Sequence, residues 1–236
     1  REHASVTILS RLLPSYAGLQ LEQEISSMEK IIDNPAKPLV ALLGGAKLET
    51  KLPLIKNFLD LGALVLIGGK LANSLFLAQG LKINQGCGEK EALKYIEGLD
   101  LKHPNLYLPK DGVVAKDPDS PEHLVSMEQI NNEGCLFDIG PETVDIFSSV
   151  LKSAKTIFWN GPLGITEDER FAQGTLKIVE ALSAIDAFKV TGGGDSIAFL
   201  DQKGLLGAFN HVSTGGGSML EFLSGKKLPG IEVLKK

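Results

Sequence analysis

The sequence predicts an α/β fold: a doubly wound parallel sheet, Rossmann-like, with helices on both faces. Short apolar runs stop at glycine six times, and helix-like patterns follow at least five of them. Strands that are apolar throughout are typical of parallel sheets covered on both faces. The glycines would then meet at the carboxyl edge of the sheet, where backbone N–H groups and helix N-termini favour phosphate. The last glycines of the six runs are Gly45, Gly69, Gly140, Gly161, Gly194 and Gly217.

The elements follow one another in a regular order. A first helix is expected over 19–33, because apolar residues recur there at helical steps and Pro35 ends the pattern. Strands are predicted near 38–43, 63–68, 105–109, 136–139, 156–159, 187–192 and 211–214. Helices are predicted near 48–60, 71–79, 89–98, 141–153, 168–184, 195–202 and 217–224. Residues 110–135 are rich in turn signals and are expected to be an irregular excursion.

Composition excludes several classes of function. The net charge is −5 and no basic block stands out, which argues against a nucleic-acid partner. The apolar runs are far shorter than the roughly 20 residues that a membrane span needs, so we expect a soluble, cytoplasmic protein. We also expect a monomer. Cys87 and Cys135 lie in unrelated segments, which predicts neither a disulfide framework nor a zinc site. The four histidines show no metal-ligand spacing.

Two common nucleotide motifs are absent from the sequence. The Gly-Lys pairs at 69–70 and 225–226 are followed by Leu71 and Lys227, so neither completes a Walker A loop. The glycine runs at 192–194 and 215–217 lack the last glycine of a dinucleotide fingerprint. The sequence therefore predicts a phosphate site of another kind.

Two lysines at the start of a predicted helix point to an anionic ligand. Lys47 and Lys51 lie four residues apart, on one face, just after Gly44 and Gly45. The helix macrodipole costs a cation at this end about 0.3–1 kcal/mol, so a bound anion would offset the cost. The alternative is a pair of solvated surface lysines.

Three further residues have two interpretations each. Asp195 follows three glycines and is either a helix N-cap or an oxygen ligand for Mg²⁺ beside phosphates. Thr166 and Glu169 have the form of a capping box, which leaves Glu167 as a candidate partner for ribose hydroxyls. Trp159 is more typical of a core residue than of a stacking platform.

Five motifs within residues 44–217 resemble phosphoglycerate kinase, in order and with its spacing. They are Gly-Gly-Ala-Lys-Leu-Glu-Thr-Lys at 44–51, Phe-Asp-Ile-Gly-Pro-Glu-Thr at 137–143, Trp-Asn-Gly-Pro-Leu-Gly at 159–164, Gly-Gly-Gly-Asp-Ser at 192–196 and Ser-Thr-Gly-Gly-Gly at 213–217. The resemblance covers essentially the whole chain, but only the second half of the family's chain. One departure is Lys70, which stands where many members have a third glycine beside the adenine pocket.

The resemblance implies a division of the chain. Residues 1–36 would be the end of an N-terminal domain and the connecting helix, and residues 37–236 the nucleotide-binding domain for Mg-ADP or Mg-ATP. The N-terminal domain, which in the family binds 3-phosphoglycerate, is absent from the sequence. Residues 1–5, Arg-Glu-His-Ala-Ser, are similar to the last substrate-binding stretch of that domain, and Arg1 would be a ligand of the substrate phosphate.

The resemblance also implies roles for individual residues. The function would be the glycolytic, reversible phosphoryl transfer between 1,3-bisphosphoglycerate and ADP, giving 3-phosphoglycerate and ATP. Lys51, with Lys47, would follow the moving phosphoryl group, and Asp195 would hold Mg²⁺. The backbone N–H groups around Gly193, Gly194 and Ser196, with those of Gly215, Gly216 and Gly217, would cradle phosphates. Glu167 would bind the ribose, Asn160 would lie near the phosphates, and Gly69 and Gly140 would line the adenine slot.

Two other functions remain open at this point. The chain could be a nucleotide-binding module without catalysis, or an NAD-dependent dehydrogenase, whose sheet is of the same class. The incomplete dinucleotide fingerprint and the two early lysines count against the dehydrogenase.

Overall fold

The computed structural model describes residues 2–84, 86–88, 96, 98–130 and 134–235. Within these residues nine strands form two sheets. The strands are β1 (Leu39–Leu43), β2 (Leu64–Ile67), β3 (Leu106–Tyr107), β4 (Asp111–Ala115), β5 (His123–Ser126), β6 (Cys135–Ile139), β7 (Thr156–Asn160), β8 (Phe188–Gly192) and β9 (His211–Ser213). The larger sheet has the order β3-β2-β1-β7-β8-β9, and all of its strand pairs are parallel. This confirms the predicted doubly wound fold class.

Helices cover both faces of this parallel sheet. They are α1 (Leu9–Leu12), α2 (Leu19–Ile32), α3 (Leu48–Asp60), α4 (Gly69–Ala78), α5 (Pro141–Lys152), α6 (Gln173–Ser183), α7 (Gly194–Gln202), α8 (Gly217–Leu223) and α9 (Pro229–Glu232). A π-helix (Ala4–Ile8) and two 3-10 turns (Glu169–Phe171 and Leu206–Ala208) complete the helical segments. None of the helices in the described part of the chain is long and apolar enough to cross a bilayer.

Alternate residues of β1 point to opposite faces of the sheet, and each face has its own buried core. Leu39, Ala41 and Leu43 belong to the cluster formed with α2, α3, α4 and α8. Val40 and Leu42 belong to the cluster formed with α5, α6 and α7. All five residues of β1 are buried, because a central parallel strand is covered on both sides.

The region expected to be irregular contains a second sheet. Strands β5, β4 and β6 pair in that order, and both pairings are antiparallel. Two predictions are thereby corrected. Residues 111–115 and 123–126 are strands, and the strand predicted near 136–139 does not join the parallel sheet. An apolar run alone does not identify its neighbours, since pairing depends on residues far away in sequence.

One helix begins later than predicted, and another predicted helix cannot be compared. The helix predicted from 168 begins at Gln173, because Asp168 accepts a hydrogen bond from the Arg170 backbone N–H and caps a separate 3-10 turn. The expected capping box of Thr166 and Glu169 is therefore not the start of a long helix. The helix predicted near 89–98 lies mostly outside the described residues.

Helix α2 packs against one face of the parallel sheet. Met28 and Ile31 are buried in the core cluster shared with β1. The predicted helix over 19–33 is thus correct in its bounds. Of the apolar residues predicted to form its buried face, Leu21, Ile25, Met28 and Ile32, only Met28 is fully buried, and Ile31 is buried beside it.

Cys87 and Cys135 form a disulfide, which corrects the expectation that they are unrelated. Their Cα atoms lie 5.3 Å apart although 48 positions separate them in sequence. Cys135 begins β6, and β6 lies beside α4, whose Asn73 side chain donates to the Leu136 carbonyl and accepts from its N–H. The second sheet brings the two cysteines together, and sequence spacing carries no sign of this.

Candidate functional site

The carboxyl edge of the parallel sheet opens where β1 and β7 lie side by side. From β1 the chain goes on to β2, and from β7 it goes to β8 on the opposite side. A crevice at such a reversal of strand order is the usual ligand site of open α/β sheets.

Two glycine loops meet at this crevice in direct backbone contact. The Gly44 N–H donates to the Asn160 carbonyl at 3.0 Å, and the Gly45 N–H donates to the Pro162 carbonyl at 2.9 Å. A Cβ on Gly44 would lie 1.9 Å from the Pro162 oxygen, and one on Gly161 would lie 2.6 Å from the Gly44 carbonyl. Glycine is therefore required at both positions by the approach of the two backbones.

Lys51 is buried between these loops, with 6% of its surface exposed. Its Nζ donates to the Gly44 carbonyl at 2.6 Å and to the Asn160 carbonyl at 2.8 Å. Burial lowers the pKa of Lys51 to about 7, and the nearby Asp195 carboxylate opposes the shift. The alternative of a solvated surface lysine is wrong for Lys51, whereas Lys47 is exposed.

A cavity of about 380 Å³, here called the glycine cavity, lies in front of Lys51. It brings together most of the predicted phosphate-binding residues. Its lining includes Lys47, Lys51, Asn160, Gly193, Gly194, Asp195, Ser196 and Gly216. Residues separated by up to 169 positions in sequence thus share one cavity.

The Gly193 loop shapes one wall of the glycine cavity. Gly193 has φ 102° and is the N-cap of α7, so the N-cap interpretation of Asp195 is wrong. Asp195 is instead an exposed acid in the first turn of the helix. The Ser196 hydroxyl is buried and accepts from the Gly161 N–H at 2.7 Å, and the Asn160 side chain donates to the Gly192 carbonyl. These two side chains hold the loops together.

A further loop, before Gly216, is held by a residue that the sequence did not suggest. Glu24 of α2 accepts from His211 Nε2 at 3.0 Å, from the Ser213 hydroxyl at 2.7 Å and from the Thr214 N–H at 2.7 Å. Burial raises the pKa of Glu24, but these hydrogen bonds outweigh it and lower the pKa to about 2. No local pattern links position 24 with positions 211–214.

A second cavity, of about 510 Å³ and here called the side cavity, adjoins the first. The two cavities share Gly45, Ala46 and Asp195. Gly69 and the exposed Glu167 both line the side cavity. Gly140 is not among its lining residues. It is the N-cap of α5, and a Cβ there would lie 2.3 Å from the Asp111 carboxylate, so the glycine has a packing role.

Parts of the side-cavity wall are brought together by pairings that the sequence did not predict. The Cys87–Cys135 disulfide forms part of one wall, together with Leu136 and Phe137 of β6. Residues 116–118, from the loop between β4 and β5, form part of another. These parts depend on the antiparallel sheet, so no local sequence signal marks them.

Asp138 supports the side cavity from behind. Its carboxylate accepts from the Gly174 N–H at 2.6 Å and from the Ile139 N–H at 2.9 Å. Burial raises the pKa of Asp138 to about 7, and these backbone hydrogen bonds oppose the shift. A Cβ on Gly164, which lines the cavity, would lie 2.4 Å from an Asp138 oxygen. Asp138 therefore fixes the start of α6 close to the ligand wall.

The remaining predictions have separate outcomes. Trp159 is fully buried and donates from Nε1 to the Gly161 carbonyl at 2.8 Å, so the core interpretation is confirmed. Arg1 lies outside the described residues. Within the described ranges there is no group of three or more His, Cys, Asp or Glu that could hold a metal ion by itself.

Comparison with known proteins gives one consistent result. A family model described as phosphoglycerate kinase matches residues 1–226. A phosphoglycerate kinase of Moorella thermoacetica is 38% identical over 240 residues, which cover 99% of this chain and 61% of the relative. One of Listeria monocytogenes serotype 4b is 43% identical over 235 residues, covering 98% of this chain and 59% of the relative.

Solved structures agree with this result. The phosphoglycerate kinase structure from Coxiella burnetii superposes with a TM-score of 0.90 at 36% identity, covering 99% of this chain and 62% of that one. The phosphoglycerate kinase from Pyrococcus horikoshii OT3 gives a TM-score of 0.83 at 31% identity, covering 100% of this chain and 61% of that one. This chain therefore spans about three fifths of the length of the relatives that it matches.

Proposed function

The chain belongs to the phosphoglycerate kinase family, and from this premise we propose that it is the part of such an enzyme that binds Mg-ADP or Mg-ATP. The reaction would be the reversible transfer of a phosphoryl group between 1,3-bisphosphoglycerate and ADP, giving 3-phosphoglycerate and ATP. We further propose that phosphoglycerate is bound by a second domain, outside this chain, that faces the glycine cavity. Membership of the phosphoglycerate kinase family argues against the alternative of an NAD-dependent dehydrogenase.

The two cavities suit the two parts of a nucleotide. We assign the phosphates to the glycine cavity, where Lys51 and the N-terminus of α7 favour negative charge. We assign the nucleoside to the side cavity, which Gly69 lines and where the Glu167 carboxylate is available to ribose hydroxyls. Continuity between the cavities at Gly45, Ala46 and Asp195 supports one ligand spanning both.

The position of Lys51 is the observation that carries the proposal. In the forward direction, an oxygen of the ADP β-phosphate attacks the phosphorus of the acyl phosphate. The bond from that phosphorus to the acyl oxygen breaks, and the oxygen leaves as a carboxylate with the electron pair. Negative charge spreads over the transferred group during this step, and a fixed cation stabilises it. Lys51 is held by two carbonyls and has no adjacent carboxylate salt bridge among the described contacts, so it is available to such charge.

Asp195 fits the role of a magnesium ligand supplied to a nucleotide complex. Mg²⁺ is usually held by one or two carboxylates together with substrate phosphates, rather than by an all-protein cage. Asp195 is an exposed carboxylate at the junction of both cavities, which matches that donor set. When bound, Mg²⁺ would offset negative charge on the phosphates. Asp195 itself would orient the phosphates relative to Lys51.

Calorimetric titration of this chain with Mg-ADP tests the proposal directly. We expect saturable binding of Mg-ADP and Mg-ATP, and no binding of NAD. A folded chain that gives neither heat nor a thermal shift with millimolar nucleotide would contradict the assignment.

Turnover gives a second test. We expect this chain alone to show no phosphoglycerate kinase activity, because reactant positioning by a second domain contributes up to roughly 7–11 kcal/mol of the barrier reduction. Robust turnover by this chain alone, in a coupled assay with 3-phosphoglycerate and Mg-ATP, would mean that the substrate site lies within these residues.

A further inference from the structure

We propose that Arg170 is a positioning residue that sets the width of the side cavity, and thereby the affinity for the nucleoside part of the ligand. It holds the loop of residues 116–122 against the segment that carries Glu167. The inference rests on the proposed function, since it assigns the nucleoside to the side cavity.

Arg170 joins two segments that are distant in sequence. On its own side, Nε and Nη2 donate to the Asp168 carboxylate at 3.1 and 2.6 Å. On the other side, Nη2 donates to the Pro118 carbonyl at 2.5 Å and Nη1 to the Ser120 carbonyl at 3.4 Å. Nη1 also lies 3.3 Å from an oxygen of Glu122. One guanidinium therefore bridges the β4–β5 loop and the 3-10 turn.

The loop that Arg170 holds has internal hydrogen bonds of its own. Asp117 Oδ1 accepts from the Asp119 N–H at 3.1 Å and from the Ser120 hydroxyl at 2.7 Å. A loop braced in this way transmits a displacement of its Ser120 end to its other end. Residues 116–118 line the side cavity, so the attachment point and the cavity wall belong to one unit.

Arg170 is also coupled to the inner wall of the same cavity. Its Cζ lies 4.8 Å from the centroid of the Phe171 ring, and that ring lies 5.1 Å from the ring of Phe137. Phe171 is fully buried, and Phe137 lines the side cavity. The guanidinium thus lies over one ring of a tilted aromatic pair whose other ring lines the side cavity.

A simple surface ion pair does not account for these contacts. The side chains of Arg170 and Glu122 are 37% and 38% exposed, and single pairs of this kind contribute little to folding. Four acceptor groups converge on one planar fork here, two of them backbone carbonyls of the loop. An arginine fork loses little freedom for each hydrogen bond that it forms, which suits it to fixing geometry.

The test compares two ligands on the variant Arg170→Ala. Calorimetry is run with Mg-ADP, which would occupy both cavities, and with Mg-pyrophosphate, which carries only the phosphate part. We expect the affinity for Mg-ADP to fall roughly tenfold, because loop ordering then opposes binding. The affinity for pyrophosphate should stay unchanged. An equal loss of affinity for both ligands, or an unchanged affinity for Mg-ADP, would overturn the proposal.

A second readout needs no nucleotide. Amide hydrogen exchange at Asp119 and Ser120 should accelerate in ligand-free Arg170→Ala, and unchanged exchange there would also overturn the proposal. Failure of the wild-type chain to bind ADP, with accelerated exchange in the variant, would instead contradict the proposed function and the nucleoside assignment that depends on it.

Two further variants serve as comparisons. Arg170→Lys keeps the charge but lacks the fork, so it should recover only part of the ADP affinity. If Arg170→Ala does not fold, Arg170→Lys can be titrated with Mg-ADP and Mg-pyrophosphate in its place. Lys226→Ala removes the exposed pair with Glu221, whose atoms lie 3.6 Å apart, and should leave both affinities unchanged.

Discussion

The glycine cavity and the side cavity are neighbours, but they are built from different materials. The first is lined mainly by residues that follow β1, β7, β8 and β9, and it contains one buried lysine, Lys51. The second is made of side chains, a disulfide and an outer loop held by Arg170. The difference teaches that the shape of the glycine cavity depends on where strands end, whereas the shape of the side cavity depends on contacts between segments distant in sequence.

Removing the cation of the glycine cavity should have the largest effect. In a catalytically competent protein that includes this chain, Lys51→Ala should lower kcat by roughly 10²–10³-fold and raise the KM for ADP much less, because a cation on the transferred group acts mainly in the transition state. Steady-state kinetics measures both constants. Leu48→Ala, a buried apolar neighbour on the same helix, is the packing control and should retain most of kcat. An unchanged kcat with a raised KM would reassign Lys51 to ground-state binding.

Removing the Cys87–Cys135 disulfide should mainly lower the free energy of unfolding. The bridge closes a loop of 48 positions, so its loss should lower the free energy of unfolding by about 4 kcal/mol, or Tm by roughly 10 °C. Thermal unfolding with and without dithiothreitol measures this. The double variant Cys87→Ser and Cys135→Ser is the matched control, since it should not respond to the reductant. Equal Tm values for the oxidised and reduced wild-type chain would contradict the prediction.

Neutralising Asp195, at the junction of the two cavities, should abolish the effect of Mg²⁺ on the affinity for ADP. Asp195→Asn should bind ADP with nearly the same affinity with and without Mg²⁺, because the variant loses a charged oxygen ligand. Its stability should change by less than about 1 kcal/mol, since the side chain is exposed. Asp201→Asn changes another exposed acid of α7 and should keep the full response to Mg²⁺. A normal magnesium response in Asp195→Asn would remove Asp195 from the metal site.

The smallest expected effect is a proton taken up on binding. Burial lowers the pKa of Lys51 to about 7, so the group is largely neutral in the free protein near pH 8. A bound phosphate favours the ammonium form and raises this pKa, so binding should take up a proton near pH 8, and affinity should fall as pH rises above 7. Titrations in two buffers with different ionisation enthalpies measure the uptake. Lys51→Met should lack it, and an equal uptake by this variant would exclude Lys51 as the source.

The parallel sheet and the glycine cavity could be predicted because their signals are local. Five of the six strands in the parallel sheet are followed closely by glycine, and a parallel sheet brings all such ends to one edge. Lys51 could be predicted as a site residue for the same reason. Its burial could not, because that depends on the Asn160 loop, 109 positions away.

The side cavity could be predicted only in part. Gly69 and Glu167 were found from motifs, whereas the disulfide, Arg170 and the β4–β5 loop were not. These features depend on the antiparallel sheet, whose pairing connects residues that carry no shared pattern. The error at Gly140 has a similar origin, because the Asp111 carboxylate that occupies the space beside it comes from the strand that was not predicted.

The contact between Gly44 and the loop at 161–162 limits how this protein can diverge over evolutionary time. A side chain at Gly44 or at Gly161 meets backbone of the opposite loop, so no compensating side-chain change nearby can make room. Only a separation of the two loops would do so, and that would draw the Gly44 and Asn160 carbonyls away from Lys51. We therefore expect the residues of the glycine cavity to stay nearly constant as this protein diverges. Differences in base preference should accumulate in the side cavity, where one side chain can change at a time.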